Sequence, residues 1–325
     1  MPLDLSCAFA TSLDTPAHVA VAERLGYRRA WLYDSPALYP DVWTQLCRAA
    51  DCTDRIGLGP GVLVPSLRHP LANAAAIATL VDAAGAGRVA IAIGAGFTGR
   101  MAMGRRAMAW KDVAEYVRTL RALLRGEEAT WEGAVIRMLH RERFAPPRPI
   151  EVPFVIAAAG PKGIAVAREL GDGVFGAPTP VPGFAWSVAL TFGTILRPGE
   201  PADAPRVLAA AGHAGAVLFH WALEHDRLDL VPDGAAWARA YDAIPARSRH
   251  LALHDGHLSE VNAVDRPFVG GGLLVRAGAA LDANGWRARI AQLEAGGATE
   301  IAYQPAGPDI PGELEAFAAL MAGAA

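Results

Sequence analysis

With 325 residues, 52% of them apolar and 19% charged, the chain can bury one large α/β barrel or two average domains. A formal net charge of −3 and the absence of any Lys/Arg cluster argue against a nucleic-acid or anionic-membrane partner. Three cysteines (Cys7, Cys47 and Cys52) lack metal-ligand spacing, no basic segment followed by an apolar stretch opens the chain, and no apolar run approaches the roughly 18 residues of a membrane span, so a cytoplasmic protein with reduced thiols is expected.

The first half alternates strand and helix patterns. Leu3–Ala10 reads as a strand, Pro16–Leu25 as a helix closed by Gly26, Arg29–Tyr33 as a strand and Asp41–Asp51 as a helix. Strand Ile56–Val64 precedes an Ala-rich helix Pro70–Ala84 closed by Gly85, and strand Arg88–Ile93 precedes a helix Met108–Leu124 ended by Gly126. Glycine just past a helix fits a C-terminal cap. A stretch holding Trp131-Glu132-Gly133 and Pro146-Pro147-Arg148-Pro149 then leads to strand Phe154–Ala159, helix Pro161–Leu170 and strand Gly173–Ala177.

Beyond Pro178 the pattern is less regular. Gly183–Ile195, Arg206–Leu218 and Ala235–Ala243 read as helices, His250–His254 as a late strand, and residues 255–285 hold no clear element. Trp286–Ala295 is a helix, Glu300–Tyr303 a last strand and Gly312–Met321 a closing helix. The eight strands expected are therefore 3–10, 29–33, 56–64, 88–93, 154–159, 173–177, 250–254 and 300–303. Repeated βα units put parallel strands inside a ring of helices, and eight of them favour a (β/α)8 TIM barrel over an open sheet. The expectation is one barrel over 1–325 with insertions near 126–152 and 178–285.

Glycine turns follow three of these strands: Gly59-Pro60-Gly61, Gly94-Ala95-Gly96 and Gly160-Pro161-Lys162-Gly163. Glycine allows positive φ and close approach of a ligand, so three such turns at successive strand ends suggest loops converging on one flat, phosphate-bearing molecule. The run Gly94-Ala95-Gly96-Phe97-Thr98-Gly99 also spells the dinucleotide fingerprint. That motif requires its last glycine inside a helix and an acid about 20 residues on, at the end of the next strand, and here the next strand begins only at Phe154. A strand-end turn at a barrel mouth accounts for the same residues better.

In order along the chain stand Arg29-Ala30-Trp31-Leu32-Tyr33-Asp34, Gly59-Pro60-Gly61-Val62 with Pro65 and Arg68-His69-Pro70, Gly94-Ala95-Gly96, and Gly160-Pro161-Lys162-Gly163. This ladder resembles the bacterial luciferase-like superfamily of flavin and deazaflavin oxidoreductases, and within it the methylenetetrahydromethanopterin reductase-like branch. The resemblance covers roughly residues 1–177 and Trp286–Gln304, and is poor across 180–285. It implies a (β/α)8 barrel with the cofactor at the carboxyl ends of the strands. The cofactor is then either the deazaflavin coenzyme F-420, used for hydride transfer to or from a small organic substrate, or reduced FMN with oxygen, which makes the chain a monooxygenase served by a separate cofactor reductase. A barrel that binds cofactor without turnover is a further alternative, and Ala- and Leu-rich helix faces permit a homodimer.

In the branch it resembles, a non-prolyl cis peptide in the strand-three bulge supports the ring system, which by position is Gly61-Val62; a plain glycine bulge is the alternative. Gly94 and Gly96 are expected to admit the cofactor tail. Gly160, Pro161, Lys162 and Gly163 open a helix whose N–H groups favour a phosphate. His69 has a possible cofactor role, or packs with Arg68 against the strand-two loop. Asp34 is followed by Ser35 where many relatives carry a histidine, which puts the family's proton transfer in doubt here; Asp34 either orients substrate or caps a helix. Cys7, Phe9 and Thr11 are expected near the ring edge. His254 and His257 are the candidate proton-transfer residues at the mouth, against the default of surface-loop histidines. No metal is expected, because a strand at 250–254 splays His250, His254 and His257 apart.

Overall fold

Every strand of the central sheet is parallel to its neighbours, and the sheet curls until its ends meet. The computed structural model describes residues 3–323. The strands are β1 (Asp4–Phe9), β2 (Arg29–Leu32), β3 (Gly57–Pro60), β4 (Ile91–Gly94), β5 (Phe154–Ala157), β6 (Gly173–Gly176), β7 (Ser187–Phe192) and β8 (Glu300–Gln304). They pair in the cyclic order of the sequence. The β3–β4 seam is closed by parallel bridges Leu58↔Val89 and Leu63↔Ile93. Between these two bridges β3 bulges, and the Gly61–Val62 peptide there is cis. This is the (β/α)8 barrel the sequence leads one to expect.

Strands buried on both faces read as continuous apolar runs, which is why these segments show little alternation. The outward faces carry Leu32, Leu58, Ile91, Ile93, Phe154 and Ile156 against the helices. The inward faces hold Ala8, Trp31, Ala90, Ala92, Phe175 and Leu190. Trp31 is fully buried, and its bulk dictates its neighbours: a Cβ on Gly61 would lie 2.7 Å from the Trp31 Cβ, and one on Gly59 would lie 1.8 Å from the Ala90 carbonyl. At the barrel floor Glu300 accepts hydrogen bonds from the indoles of Trp31 and Trp186, both at 2.9 Å, while the Arg29 guanidinium lies over both rings.

The helices α1 (Thr15–Arg24), α2 (Val42–Ala50), α3 (Pro70–Ala84), α4 (Phe97–Met101), α5 (Trp110–Arg125) and α6 (Pro161–Leu170) follow β1 to β5. After α5 comes a short hairpin, Ala129–Trp131 with Ala134–Ile136, turning at Glu132-Gly133. No helix joins β6 to β7. Between β7 and β8 the chain makes a long excursion through α7 (Pro205–Glu224), α8 (Gly234–Ala240), α9 (Arg249–Leu253) and α10 (Gly271–Arg276). It leaves and returns through two short segments paired in parallel, Thr194–Ile195 and Ala280–Leu281. Then α11 (Ala283–Ala295) leads to β8, and α12 (Ile310–Ala322) follows it.

Two elements differ from the sequence reading. The seventh strand is Ser187–Phe192, inside the segment read as helix 183–195, and the segment read as strand 250–254 lies instead in α9 and its C-cap His254. A short apolar run cannot be assigned by periodicity alone. What makes 187–192 a strand is pairing with β6 and with β8 more than a hundred residues on, as in Ala189↔Ile301. The stretch outside the barrel therefore shrinks from 178–285 to about 193–282, and its last third contains α10. Helix α7 is also a longer apolar stretch than expected: an 18-residue window has a mean hydropathy of 1.2, enough by length and composition to cross a membrane. Its Val207, Ala211 and Phe219 are buried with Trp237, Tyr241 and Leu274 in a core belonging to the excursion.

Candidate active site at the barrel mouth

The carboxyl ends of the strands make a mouth with two unlike halves. On one half, β3, β4 and β5 end in Gly61-Val62, Gly94 and Ala157. These are mutual neighbours, since a Cβ on Gly94 would sit 3.0 Å from Val62 Cγ2 and 3.2 Å from the Ala157 Cβ. This half is a shelf of short side chains, with Gly61 and Gly94 buried and Val62 and Ala157 half-buried. On the other half, Tyr33 donates to Gln304 Oε1 at 2.6 Å, and Gln304 Nε2 donates to the Leu258 carbonyl. Tyr39 donates to the His257 carbonyl. The segment after α9 is thereby tied down across this half, with Leu258 packed over the barrel's inner residues. Beside it, Phe9, Ala10, Ser12, Leu258, Val261 and Pro305 line a cavity of about 680 Å³.

Exposure rises along the turn from β5 into α6. Ala157 is half-buried, and Ala159, Gly160, Pro161 and Lys162 are exposed. Nothing lies within 4 Å of where a Gly160 Cβ would project. Among the described residues no ion pair engages Lys162. Gly163 differs: its Cβ would strike Trp110 Cζ2 at 2.4 Å, so packing alone requires glycine there. Gly96 has φ +79, and its Cβ would meet Val64 Cγ1 at 2.5 Å. A shelf of short side chains beside an exposed helix N-terminus fits a flat ring with an anionic tail.

Asp34 is buried behind the shelf. Its carboxylate accepts two bonds from Arg68 Nη1, at 2.7 and 2.8 Å, and one from the Val64 N–H at 3.2 Å. Arg68 continues to Asp41 at 2.6 Å. Burial pushes the Asp34 carboxyl up while Arg68 opposes the shift, and the paired carboxylates outweigh burial to raise Arg68. Asp34 thus clamps the loop after the β3 bulge to the end of β2. His69 is exposed, caps α3 by accepting from the Leu71 N–H, and meets Trp131 edge-on. Phe9 faces the helices and stacks on His18. Thr11 donates to the Pro40 carbonyl, and Cys7 is buried on the outer face of β1.

The histidines lie elsewhere than expected. His254 caps the end of α9 and His257 follows in a turn, and the helical geometry gathers them against His220 of α7. All three are at most 3% exposed. His220 Nδ1 lies 2.9 Å from His257 Nδ1, and His220 Nε2 lies 3.0 Å from Asp265 Oδ2. His257 Nε2 is 3.2 Å from Thr98 Oγ1, on the first turn of α4. Burial holds His257 well below the ordinary histidine range and His254 at about 4, so both are neutral at pH 7. His220 and Asp265 were not singled out by sequence reasoning. The available signal was a pair of histidines, His213 and His220, seven residues apart in a largely apolar helix. Among the described residues no group of three or more His, Cys, Asp or Glu is arranged to hold a metal ion.

Fold and rim together define a (β/α)8 barrel whose strand ends open onto a mouth. The profile of the luciferase-like monooxygenase family matches residues 13–216, more than half the chain, and the chain belongs to that family. It is 32% identical over 161 residues to a 5,10-methylenetetrahydromethanopterin reductase of Archaeoglobus fulgidus, covering 48% of this chain and 47% of that one. It is 32% identical over 180 residues to an F-420-dependent glucose-6-phosphate dehydrogenase of Beutenbergia cavernae, covering 49% and 51%. The matches thus span about half the length of these curated relatives. Among solved structures, the coenzyme F-420-dependent tetrahydromethanopterin reductase of Methanopyrus kandleri superposes with a TM-score of 0.66 at 20% identity over 98% of both chains. An F-420-dependent secondary alcohol dehydrogenase superposes with a TM-score of 0.68 at 17% identity over the whole of both.

Proposed function

We propose that this chain is an oxidoreductase that binds coenzyme F-420 at the barrel mouth and moves a hydride between it and a small organic substrate. The observation that carries the reading is the shelf of Gly61-Val62, Gly94 and Ala157 leading to the exposed first turn of α6. Sequence similarity to an F-420-dependent glucose-6-phosphate dehydrogenase supports the choice of cofactor. Bound there, a deazaflavin supplies a hydride donor or acceptor, the chemistry that amino-acid side chains lack.

The chain supplies position and a dry surface. Gly61-Val62 backs one face of the ring, with Asp34 and Arg68 fixing the loop behind it. Gly94 and Gly96 let the tail run close to backbone, and Gly160, Pro161 and Lys162 receive its phosphate. His69 and Gly163 have structural duties in this reading, as cap and as packing partner of Trp110.

The family's own name favours a second reading, oxygenation with reduced FMN. Equilibrium titration of the purified chain with F-420 and, separately, with FMN decides between them. Saturable F-420 binding, tighter than FMN, is expected. Binding of FMN alone, with oxygen uptake when it is supplied reduced, transfers the assignment to a monooxygenase, and binding of neither removes both.

A further inference from the structure

The Asp265 carboxylate is 1% exposed yet fully hydrogen-bonded. Its Oδ1 accepts from the Trp237 indole and the Tyr241 hydroxyl, both at 2.7 Å, and its Oδ2 accepts from Asn262 Nδ2 at 2.9 Å besides facing His220 Nε2. The Trp237 indole and the Asn262 amide nitrogen can only donate, so the Asp265 carboxylate is the acceptor at both of its oxygens. His220 must therefore carry its proton on Nε2, which leaves its Nδ1 an acceptor. His257 must then donate from Nδ1, which leaves its Nε2 an acceptor for the Thr98 hydroxyl. One carboxylate acceptor thus fixes the direction of every bond in the resting chain, which runs from the excursion's core to the half-exposed first turn of α4, next to the Gly94-Ala95-Gly96 turn.

We propose that Thr98, His257, His220 and Asp265 form a proton relay, with Thr98 as the catalytic residue that takes a proton from a hydroxyl group of the substrate as an alcohol is oxidised. The proposal rests on the F-420 reading, since it needs a deazaflavin as hydride acceptor. The substrate O–H proton passes to Thr98 Oγ1 as the Thr98 proton moves to His257 Nε2 and the His257 Nδ1 proton moves to His220 Nδ1. The hydride leaves the carbinol carbon with its electron pair for the oxidised deazaflavin, and the alcohol becomes a carbonyl compound. The positive charge then rests on His220 against Asp265 instead of on His257. His254 flanks the pair, its ring centroid 5.8 Å from that of His220 and 5.2 Å from that of His257. After product leaves, the proton returns from His220 through His257 and Thr98 to solvent, which resets the relay, and the same return path serves reduction of a carbonyl.

Two measurements test this. Imidazole-nitrogen NMR of the full chain at pH 7 is expected to show His220 protonated on Nε2 and His257 on Nδ1; the opposite tautomer at either ring overturns the relay, whatever cofactor binds. With oxidised F-420 and a panel of short primary, secondary and benzylic alcohols, Thr98→Val is expected to lower kcat by about 100-fold with unchanged F-420 affinity. Thr98→Ser is expected to recover most of that loss, with the solvent deuterium isotope effect of the wild type. Wild-type turnover in Thr98→Val overturns the terminal role. Bound F-420 with no alcohol in the panel oxidised overturns the substrate class. Failure to bind F-420 instead overturns the cofactor reading, and the NMR result still decides the relay.

Discussion

Two glycines of one turn carry different meanings. Gly163 is glycine because Trp110 occupies the space a side chain would need, so Gly163→Val should destabilise the chain by about 1–3 kcal/mol, read as a lower denaturant midpoint. Gly160 has open space around it, so Gly160→Ala should cost less than about 1 kcal/mol, and any change it makes in cofactor affinity reports contact with the ligand. Lys162→Ala should weaken F-420 binding about five- to tenfold at low salt and less at high salt, as for one exposed charge near a phosphate. Asp34→Asn removes the more buried of the two carboxylates that pair with Arg68 and should cost about 1.5–3 kcal/mol, measured by urea unfolding. The glycine turns and Asp34 were legible in the sequence as positions of interest. Their division into ligand-facing and packing roles was not, because that depends on Trp31, Val64 and Trp110 arriving from distant parts of the chain.

At the level of elements, what could be read locally was read well. Helices closed by Gly85 and Gly126, and strands flanked by turns, carry their signals within a few residues. β7 and α9 were exchanged because the sequence Ser187–Phe192 is a strand only by virtue of neighbours supplied by β6 and β8. The same long reach hid the relay: His257 was picked out, but its partners come from α7 and from residue 265. The excursion's core is organised around Trp237, which stacks on Phe219 with ring centroids 5.2 Å apart and bonds to Asp265. Trp237→Ala should therefore loosen α7 and α8 selectively: hydrogen exchange should rise there while β1, β2 and β8 keep their protection. Uniform loss of protection would show that excursion and barrel unfold as one unit.

For the molecule as a whole, buried neutral histidines set a pH dependence of stability. Burial lowers His213 to about 4, and neither of its ring nitrogens finds a partner among the described residues. His254 is likewise lowered to about 4, chiefly by burial. Because these folded-state values lie below the unfolded value near 6.5, the unfolded chain binds more protons in between, so stability is full above about pH 6.5 and is lost as pH falls toward 4. Thermal unfolding scans should show the melting temperature falling through that window. His213→Leu should flatten the slope and raise stability at pH 7, since it replaces two unsatisfied buried nitrogens with apolar surface. One further property follows from the two-residue pairing of Thr194–Ile195 with Ala280–Leu281, which makes the excursion's exit and re-entry adjacent. The chain from Leu196 to Ala279 leaves and rejoins the barrel at one place, so a relative's segment grafted between those points would leave the barrel's register intact, provided it keeps partners for Tyr39, Thr98, Gln304 and Glu313.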